Sequence, residues 1–445
     1  MMRTVVIRPE AESAGGRSAE ASLDEAIGLA RAIDLAVADA VITPVRRPSP
    51  ATFLGPGKVE EIRADLDARE PRPGIVIVDH ALSPVQHRNL EKAWNAKVLD
   101  RTALILEIFG ERAHTAEGRL QVELAHLTYQ RSRLVRSWTH LERQRGGRGF
   151  LGGPGERQLE SDRRALADKI VRLKEKLEGV RRTRALQRAR RKRAPYPVVA
   201  LVGYTNAGKS TLFNRMTDAK VPARDQLFAT LDPTMRAADL ASGQRIILSD
   251  TVGFISNLPT HLVAAFRATL EEVLEADLIV HVRDIAHPDA EAQRADVISV
   301  LRELGLSDGD SLTIEALNKI DLLDAAARAA ATAAVRASEL RDAMSLEEPA
   351  RVAVSAATGE GIEDLATLID RLLTAERGTY AIEIDAADGR ARAFLHGTGD
   401  VAEERVDGGS AHLTVRLTEK SLGQFQKMFP HATVATPPTR RRRRA

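Results

Sequence analysis

The octet Gly203, Tyr204, Thr205, Asn206, Ala207, Gly208, Lys209 and Ser210 constrains this chain more than any other stretch. It follows an apolar run, Val198 to Val202, and opens a helical stretch from Thr211, so it reads as a glycine-rich turn between a strand and a helix. Such a turn wraps its amides around a β-phosphate at the positive end of the helix. Lys209 is then expected to reach the β and γ oxygens and Ser210 to ligate Mg²⁺. A unit of this kind calls for an α/β fold with a parallel sheet. Residues 196–376 offer candidate strands at Val198 to Val202, Arg245 to Ser249, Leu278 to Val282, Leu312 to Leu317 and Ala350 to Val354, alternating with helical runs.

Four further segments follow in the order a nucleotide site of this architecture requires. Asp250, Thr251, Val252 and Gly253 end a strand-like run, which aims the Asp250 carboxylate at the metal, through water, and leaves the Gly253 amide open to a γ-phosphate. Phe228, Ala229, Thr230, Leu231 and Asp232 lie between the two, where Thr230 can complete the Mg²⁺ shell only while a γ-phosphate is present, as a switch does. Asn318, Lys319, Ile320 and Asp321 follow another strand. Asp321 can accept from the ring N–H and the exocyclic amine of guanine, whereas adenine would leave it unpaired, so the substrate read from this pattern is GTP. Asn318 is expected to brace the phosphate loop, Lys319 to cover the base, and Ser355, Ala356 and Ala357 to supply a backbone donor for guanine O6. Lys209, Thr230 and Gly253 are the catalytic candidates, and Ser210 and Thr230 the metal ligands.

Phe254 occupies the position where many GTPases of this architecture carry a glutamine that orients the attacking water. A phenyl ring cannot polarise water, so hydrolysis is expected to be slow alone and to depend on a group or rearrangement that a partner brings.

Residues 1–112 read as a small α/β domain, with strand-like runs at Thr4 to Ile7 and Gly74 to Asp79 and helical ones at Leu23 to Val37 and Leu82 to Trp94. Phe53 to Lys58, FLGPGK, lacks phosphate-loop spacing and reads as a turn opening a helix. Residues 113–195 carry two heptad-like seams, Leu120, Leu124, Leu127, Leu134, Trp138, Leu141 and Leu159, Leu166, Ile170, Leu173, Leu177, Val180, which predict an antiparallel helical hairpin. Its tip, Gly146 to Gln158, holds six glycines with Arg148, Phe150 and Arg157. Arg131 to Arg193 has 21 Lys or Arg against 7 Asp or Glu, a net of +14 in a chain whose total is only +3. That asymmetry is the footprint of a polyanion-binding segment, here RNA, with a solvated helix surface as the alternative; for the glycine-rich tip the alternative is a flexible connector. Residues 377–436 read as a small α+β domain, with strands at Tyr380 to Ile384 and His412 to Leu417 and a helix at Glu419 to Lys427. Residues 437–445 form a basic tail containing Arg440 to Arg444. The chain has no cysteine, its eleven histidines lack ligand spacing, and it shows neither a signal-peptide pattern nor a long apolar run, so a cytoplasmic location is expected; nothing beyond the intramolecular seam suggests a dimer, so a monomer is expected.

Together these residues resemble the HflX family, a branch of the Obg-like GTPases in the translation-factor-related class. The marks are FLGPGKVEEI at 53–62, LQVELAHL at 120–127, GGPGERQLESDRR at 152–164, FATLDPT at 228–234 and DTVGFI at 250–255, and the likeness runs from about residue 50 to 425. It departs from the family at Arg157, where threonine is usual, and the arginine tail lies outside the shared pattern. The resemblance implies binding to the large (50S) ribosomal subunit and its rRNA, with dissociation of stalled or idle ribosomes. A GTP-regulated assembly or signalling switch that splits nothing is the alternative. An ATP-driven RNA-remodelling enzyme ranks lower, because residues 1–195 show no complete phosphate loop.

Overall fold

The computed structural model describes residues 2–11, 17–144, 154–191, 196–217, 219, 227, 228, 230, 233–256, 272–307, 311–338, 345–375 and 377–435. Among them stand three sheets, one in each of the α/β and α+β segments.

The first sheet contains β1 (Arg3–Ala11), β2 (Ala36–Val45), β3 (Ile75–Val78) and β4 (Lys97–Asp100), in the order β2-β1-β3-β4 and parallel throughout. β3 reads Ile-Val-Ile-Val and is buried on both faces, as a parallel strand covered by helices should be. Ile75 and Ile77 point into one apolar layer with α1 (Ala19–Ala32) and α4 (Arg101–Arg112). Val76 and Val78 point into another with α2 (Pro56–Ala68) and α3 (Pro84–Trp94). The predicted helix to Val37 stops at Ala32: Asp34 turns with φ 53°, and Val37 belongs to β2. Periodicity missed β2 and β4 because neither pattern alternates: β2 is half-buried over most of its length, and β4 is short and buried at three of its four residues. FLGPGK opens a helix as expected, with Gly55 capping α2.

The hairpin consists of α5 (Ala116–Gln144) and α6 (Pro154–Arg191). Leu127, Ile170 and Leu173 form a buried seam, flanked by Leu120, Leu124 and Leu166, and Lys169 pairs with Glu123 at 2.8 Å. Glu123 lies about 31 Å before the end of α5 and Lys169 about 22 Å after the start of α6, so parallel helices would need a link of about 50 Å; nine residues reach about 30 Å. The pair is therefore antiparallel. The helix begins at Pro154, so Gly155 to Gln158, expected in the tip loop, are helical instead; Pro at the first position suits a helix start. Residues 145–153, the side chains of Leu134, Trp138, Leu141 and Leu159, and residues 436–445 lie outside the described residues.

The central sheet orders its strands β10-β9-β8-β5-β7-β6. β5 (Val198–Val202), β7 (Arg245–Asp250), β8 (Leu278–Asp284), β9 (Leu312–Asn318) and β10 (Ala350–Ala353) are parallel, at or within a residue or two of the expected runs. An edge strand not foreseen, β6 (Thr234–Asp239), pairs antiparallel with β7, so the sheet is not purely parallel. Among the described residues it is accompanied by helices including α7 (Lys209–Thr217), α8 (Ala290–Glu303), α9 (Ala325–Ser338) and α10 (Ile362–Ala375). Inside the sheet, buried Glu315 accepts from Arg294 Nε at 2.6 Å and Arg351 Nε at 2.7 Å and pairs with Arg283 at 3.2 Å. Burial alone would raise its carboxyl, but Arg283, His281 and Arg294 bring it down to about 2. His281 is fully enclosed, and burial drives its imidazole down to about 3 despite the opposing Glu315.

The last segment is an antiparallel sheet, order β12-β13-β11-β14, built from β11 (Arg377–Asp385), β12 (Asp400–Asp407), β13 (Ser410–Thr418) and β14 (Thr433–Ala435). Its helices are α11 (Gly389–Thr398) and α12 (Glu419–Met428), and its core centres on Phe425.

Candidate nucleotide site

β5 lies at the point where the sheet order reverses, with β8 on one side and β7 on the other, so the crevice at its carboxyl end is where an open α/β sheet takes a ligand. The phosphate loop fills the turn from β5 to α7. Two of its glycines are obligatory. At Gly203, with φ 152°, a Cβ would stand 2.2 Å from the Val282 carbonyl oxygen, and at Gly208, with φ 94°, it would stand 2.2 Å from Asn318 Nδ2. Lys209 Nζ donates to the carbonyls of Gly203 at 3.1 Å and Tyr204 at 2.8 Å, which points the ammonium across the loop. Burial pushes this ammonium down to about 8, against the opposing pull of Asp250.

Ser210 Oγ and Thr230 Oγ1, 3.0 Å apart, both donate to Asp250 Oδ2, at 2.7 and 2.9 Å. Asp250 Oδ1 is buried and has no hydrogen-bond partner among the described residues. Burial raises the Asp250 carboxyl above its usual range, and Ser210, Lys209 and Thr230 oppose that. Two hydroxyls and a carboxylate with an orphaned oxygen are a hard-oxygen donor set of the kind Mg²⁺ takes. No cluster of three or more His, Asp or Glu suited to a metal occurs among the described residues.

Several expected contact residues turn their side chains elsewhere. Thr251 is buried and donates to the Leu201 carbonyl at 2.6 Å; Val252 lies in the apolar core. Tyr204 is 4% exposed and its hydroxyl bonds Glu25. Phe228 is buried edge-to-face on Phe109 of α4, ring centroids 4.8 Å apart, so its side chain anchors the switch segment to the first sheet rather than touching a nucleotide. Ala229, Leu231 and Asp232 lie outside the described residues. Phe254 is 2% exposed in the same core. It is thus a packing residue as well as a missing glutamine. A Cβ on Gly253 would approach Lys209 Nζ to 3.0 Å and Thr205 Cα to 2.9 Å, so only glycine fits over the loop here.

At the base end, Asn318 ties two loops together: Nδ2 donates to the Ala207 carbonyl at 2.7 Å, and Oδ1 accepts from the Ala356 amide at 2.9 Å. The Ala356 amide, one of the candidate donors to O6, is bonded to Asn318. Ser355 Oγ donates to Asp321 Oδ1 at 2.6 Å, which orients the carboxylate, while Ile320 is buried. Lys319 has φ 66° and pairs with Asp284 Oδ2 at 2.7 Å. Asp284 and Arg215, which donates to the Ala356 and Ala357 carbonyls, were missed from sequence. Neither belongs to a motif, and only the fold brings them to the base loop.

Three family models match the chain: GTP-binding GTPase N-terminal over residues 20–110, GTP-binding GTPase Middle Region over 112–191, and 50S ribosome-binding GTPase over 198–319. A GTPase HflX from Magnetococcus marinus is 50% identical over 404 residues, covering 91% of this chain and 90% of that one. The chain belongs to the HflX family of GTPases. GTPase HflX of Escherichia coli is 45% identical over 382 residues, 85% of each chain, and that of Lacrimispora saccharolytica 47% over 358 residues, 80% of this chain and 79% of that one. This HflX-family chain is accordingly a GTP-binding, GTP-hydrolysing enzyme of the ribosome-binding class. No described helix is long and apolar enough to cross a membrane.

Proposed function

We propose that this GTPase binds the large ribosomal subunit and its rRNA in the GTP state, promotes dissociation of stalled or idle ribosomes, and is reset by hydrolysis. The observation that carries this reading is the two-helix hairpin, whose stretch from Arg131 to Arg193 has a net charge of +14. A rod of this charge is built to meet a phosphate backbone, and contacts of that kind weaken steeply with salt. The division at 112, 195, 376 and 436 belongs to the same reading, as do a cytoplasmic location and a monomeric state.

In this reading Gly203 to Ser210 hold the phosphates, with the Lys209 ammonium at the β and γ oxygens. Asp321 and Ser355 to Ala357 read guanine. Ser210 and Thr230, with Asp250 behind them, would hold Mg²⁺, which supplies charge neutralisation on the transferring phosphoryl group. Thr230, whose hydroxyl already lies 3.0 Å from Ser210 Oγ, would complete the set, which would couple its segment to the γ-phosphate through the ion. With Phe254 in the core and no glutamine to orient water, turnover is slow until the large subunit contributes.

The test is GTP hydrolysis by the protein alone and with added large subunits at low and high salt, beside sedimentation of intact ribosomes. Salt-sensitive stimulation together with subunit separation supports the reading. Stimulation without separation favours an assembly or signalling switch, and an unchanged rate refutes ribosomal activation.

A further inference from the structure

The switch point of the first sheet falls between β1 and β3, and ligands of open α/β sheets bind at that crevice. Here the crevice receives part of the nucleotide domain itself. Asp79, just beyond β3, pairs with Arg8 of β1 at 2.6 Å and with Arg101, the first residue of α4. Arg101 is 4% exposed; burial works against its charge, but Asp79 and Glu25 more than restore it. Its remaining donors go to Glu25 of α1 and to Ser256, reaching the carbonyl at 3.1 Å and Oγ at 2.9 Å. Ser256 Oγ also donates to Glu25 at 3.2 Å, and the Ser256 amide donates to the Tyr204 hydroxyl at 2.8 Å, which is itself bonded to Glu25.

Three side chains, Arg101 of α4, Glu25 of α1 and Tyr204 of the phosphate loop, thus close on Ser256, three residues beyond Gly253, with Asp79 and Arg8 behind Arg101. Between them, Phe254 is zipped to the phosphate loop: Thr205 N donates to the Phe254 carbonyl at 2.7 Å and Phe254 N to the Gly203 carbonyl at 3.1 Å. In this arrangement Gly253 stands directly over Lys209, on the side where a γ-phosphate must enter, and Phe254 and Ile255 are packed in the core shared with α1 and α4.

We propose that Arg101, Glu25 and Tyr204 are positioning residues that hold residues 253–256 closed over the phosphate loop, so that the first sheet sets the chain's preference between GTP and GDP. The sequence left the Gly253 amide open to a γ-phosphate, but in the structure even a Cβ on Gly253 would stand 2.9 Å from Thr205 Cα and 3.0 Å from Lys209 Nζ, so a γ-phosphate requires the segment to lift, whereas GDP leaves the space above Lys209 unused. The clamp therefore lowers the apparent affinity for GTP by the fraction of molecules that are open and leaves GDP nearly untouched. The inference rests on the phosphate-loop assignment made above.

The test compares Tyr204→Phe and Ser256→Ala, which remove hydroxyls while keeping the packing, with the unaltered full-length chain. Dissociation constants are measured for fluorescent GDP and for a fluorescent non-hydrolysable GTP analogue, with thermal melting as a check on folding. Each variant is expected to tighten the GTP analogue relative to GDP by about three- to tenfold, the range of one net hydrogen bond. A role confined to stability would lower the melting temperature and leave the ratio alone. An unchanged ratio, or one moved toward GDP, overturns the proposal; failure of the unaltered chain to bind either nucleotide would instead remove the phosphate-loop assignment. Arg101→Lys, which keeps the charge but cannot reach Asp79, Glu25 and Ser256 together, should move the ratio in the same direction.

Discussion

Replacing Asn318 separates hydrogen-bond geometry from mere bulk, because its two ends are bonded to opposite kinds of group. Nδ2 donates to the Ala207 carbonyl, Oδ1 accepts from the Ala356 amide, and the residue is 2% exposed. In Asn318→Ala both backbone groups lose their partner where water is scarce, at about 1–3 kcal/mol each, or about 2–6 kcal/mol in total. Asn318→Asp keeps the acceptor toward Ala356 but turns a second oxygen on the Ala207 carbonyl. Only a protonated carboxyl satisfies both ends. Holding a carboxyl of ordinary pKa protonated at pH 7.5 costs about 5 kcal/mol, and that cost shrinks by about 1.4 kcal/mol per pH unit on acidification. The aspartate variant should thus match or fall below the alanine variant at pH 7.5 and overtake it near pH 5, each taken relative to the unaltered chain at the same pH. Urea unfolding of the nucleotide-free protein across pH 5–8 gives both differences, and GDP affinity should follow the same order, since the bond joins the phosphate and base loops. Parallel curves for the two variants, or an aspartate variant as stable as the parent at pH 7.5, would refute the reasoning.

Two further outcomes follow from burial. Phe254→Gln should destabilise the protein by about 3–5 kcal/mol, as loss of a buried phenyl does, and should not raise basal GTP hydrolysis; a faster, equally stable enzyme would mean that Phe254 is only a vacant glutamine position. His281, held near 3 when folded and titrating at about 6.5 when unfolded, binds fewer protons in the native state over that interval. Stability is then complete above pH 6.5 and falls by about 1.4 kcal/mol per unit as pH drops. Between pH 6.5 and 4.5, above the range where Glu315 begins its own acid loss, His281→Gln should flatten the slope in denaturant titrations. An unaltered slope would show that the imidazole is not the group responsible.

The nucleotide site was legible because its chemistry is local. The turn from β5 to α7, the loop after β9 and the strand-end aspartate each follow one strand, and a short spacing records them. The unread parts lie between segments far apart in sequence. Nothing near Phe228 says that it meets Phe109, and nothing near Tyr204 says that its hydroxyl meets Glu25, because these contacts arise only when α1 and α4 pack against the nucleotide segments. β6 escaped for a related reason: Thr234 to Asp239 lies at an edge, is exposed or half-buried at all but one position and carries little apolar pattern. At the hairpin, the seam residues were evident from periodicity, but the proline that starts α6 was counted with the glycines before it.

The apolar layer that joins α1 and α4 to Val202, Phe228, Val252 and Phe254 has a consequence for how the chain is made. The helices that form one wall are complete by residue 112, while the strands and loops forming the other extend to at least residue 279. At the usual pace of synthesis that interval lasts on the order of 10–30 s. Throughout it, a finished sheet leaves the ribosome with Leu104, Ile105 and Phe109 facing water and waiting for a wall not yet translated. A nascent chain arrested in this interval is thus the form of the protein most in need of a chaperone.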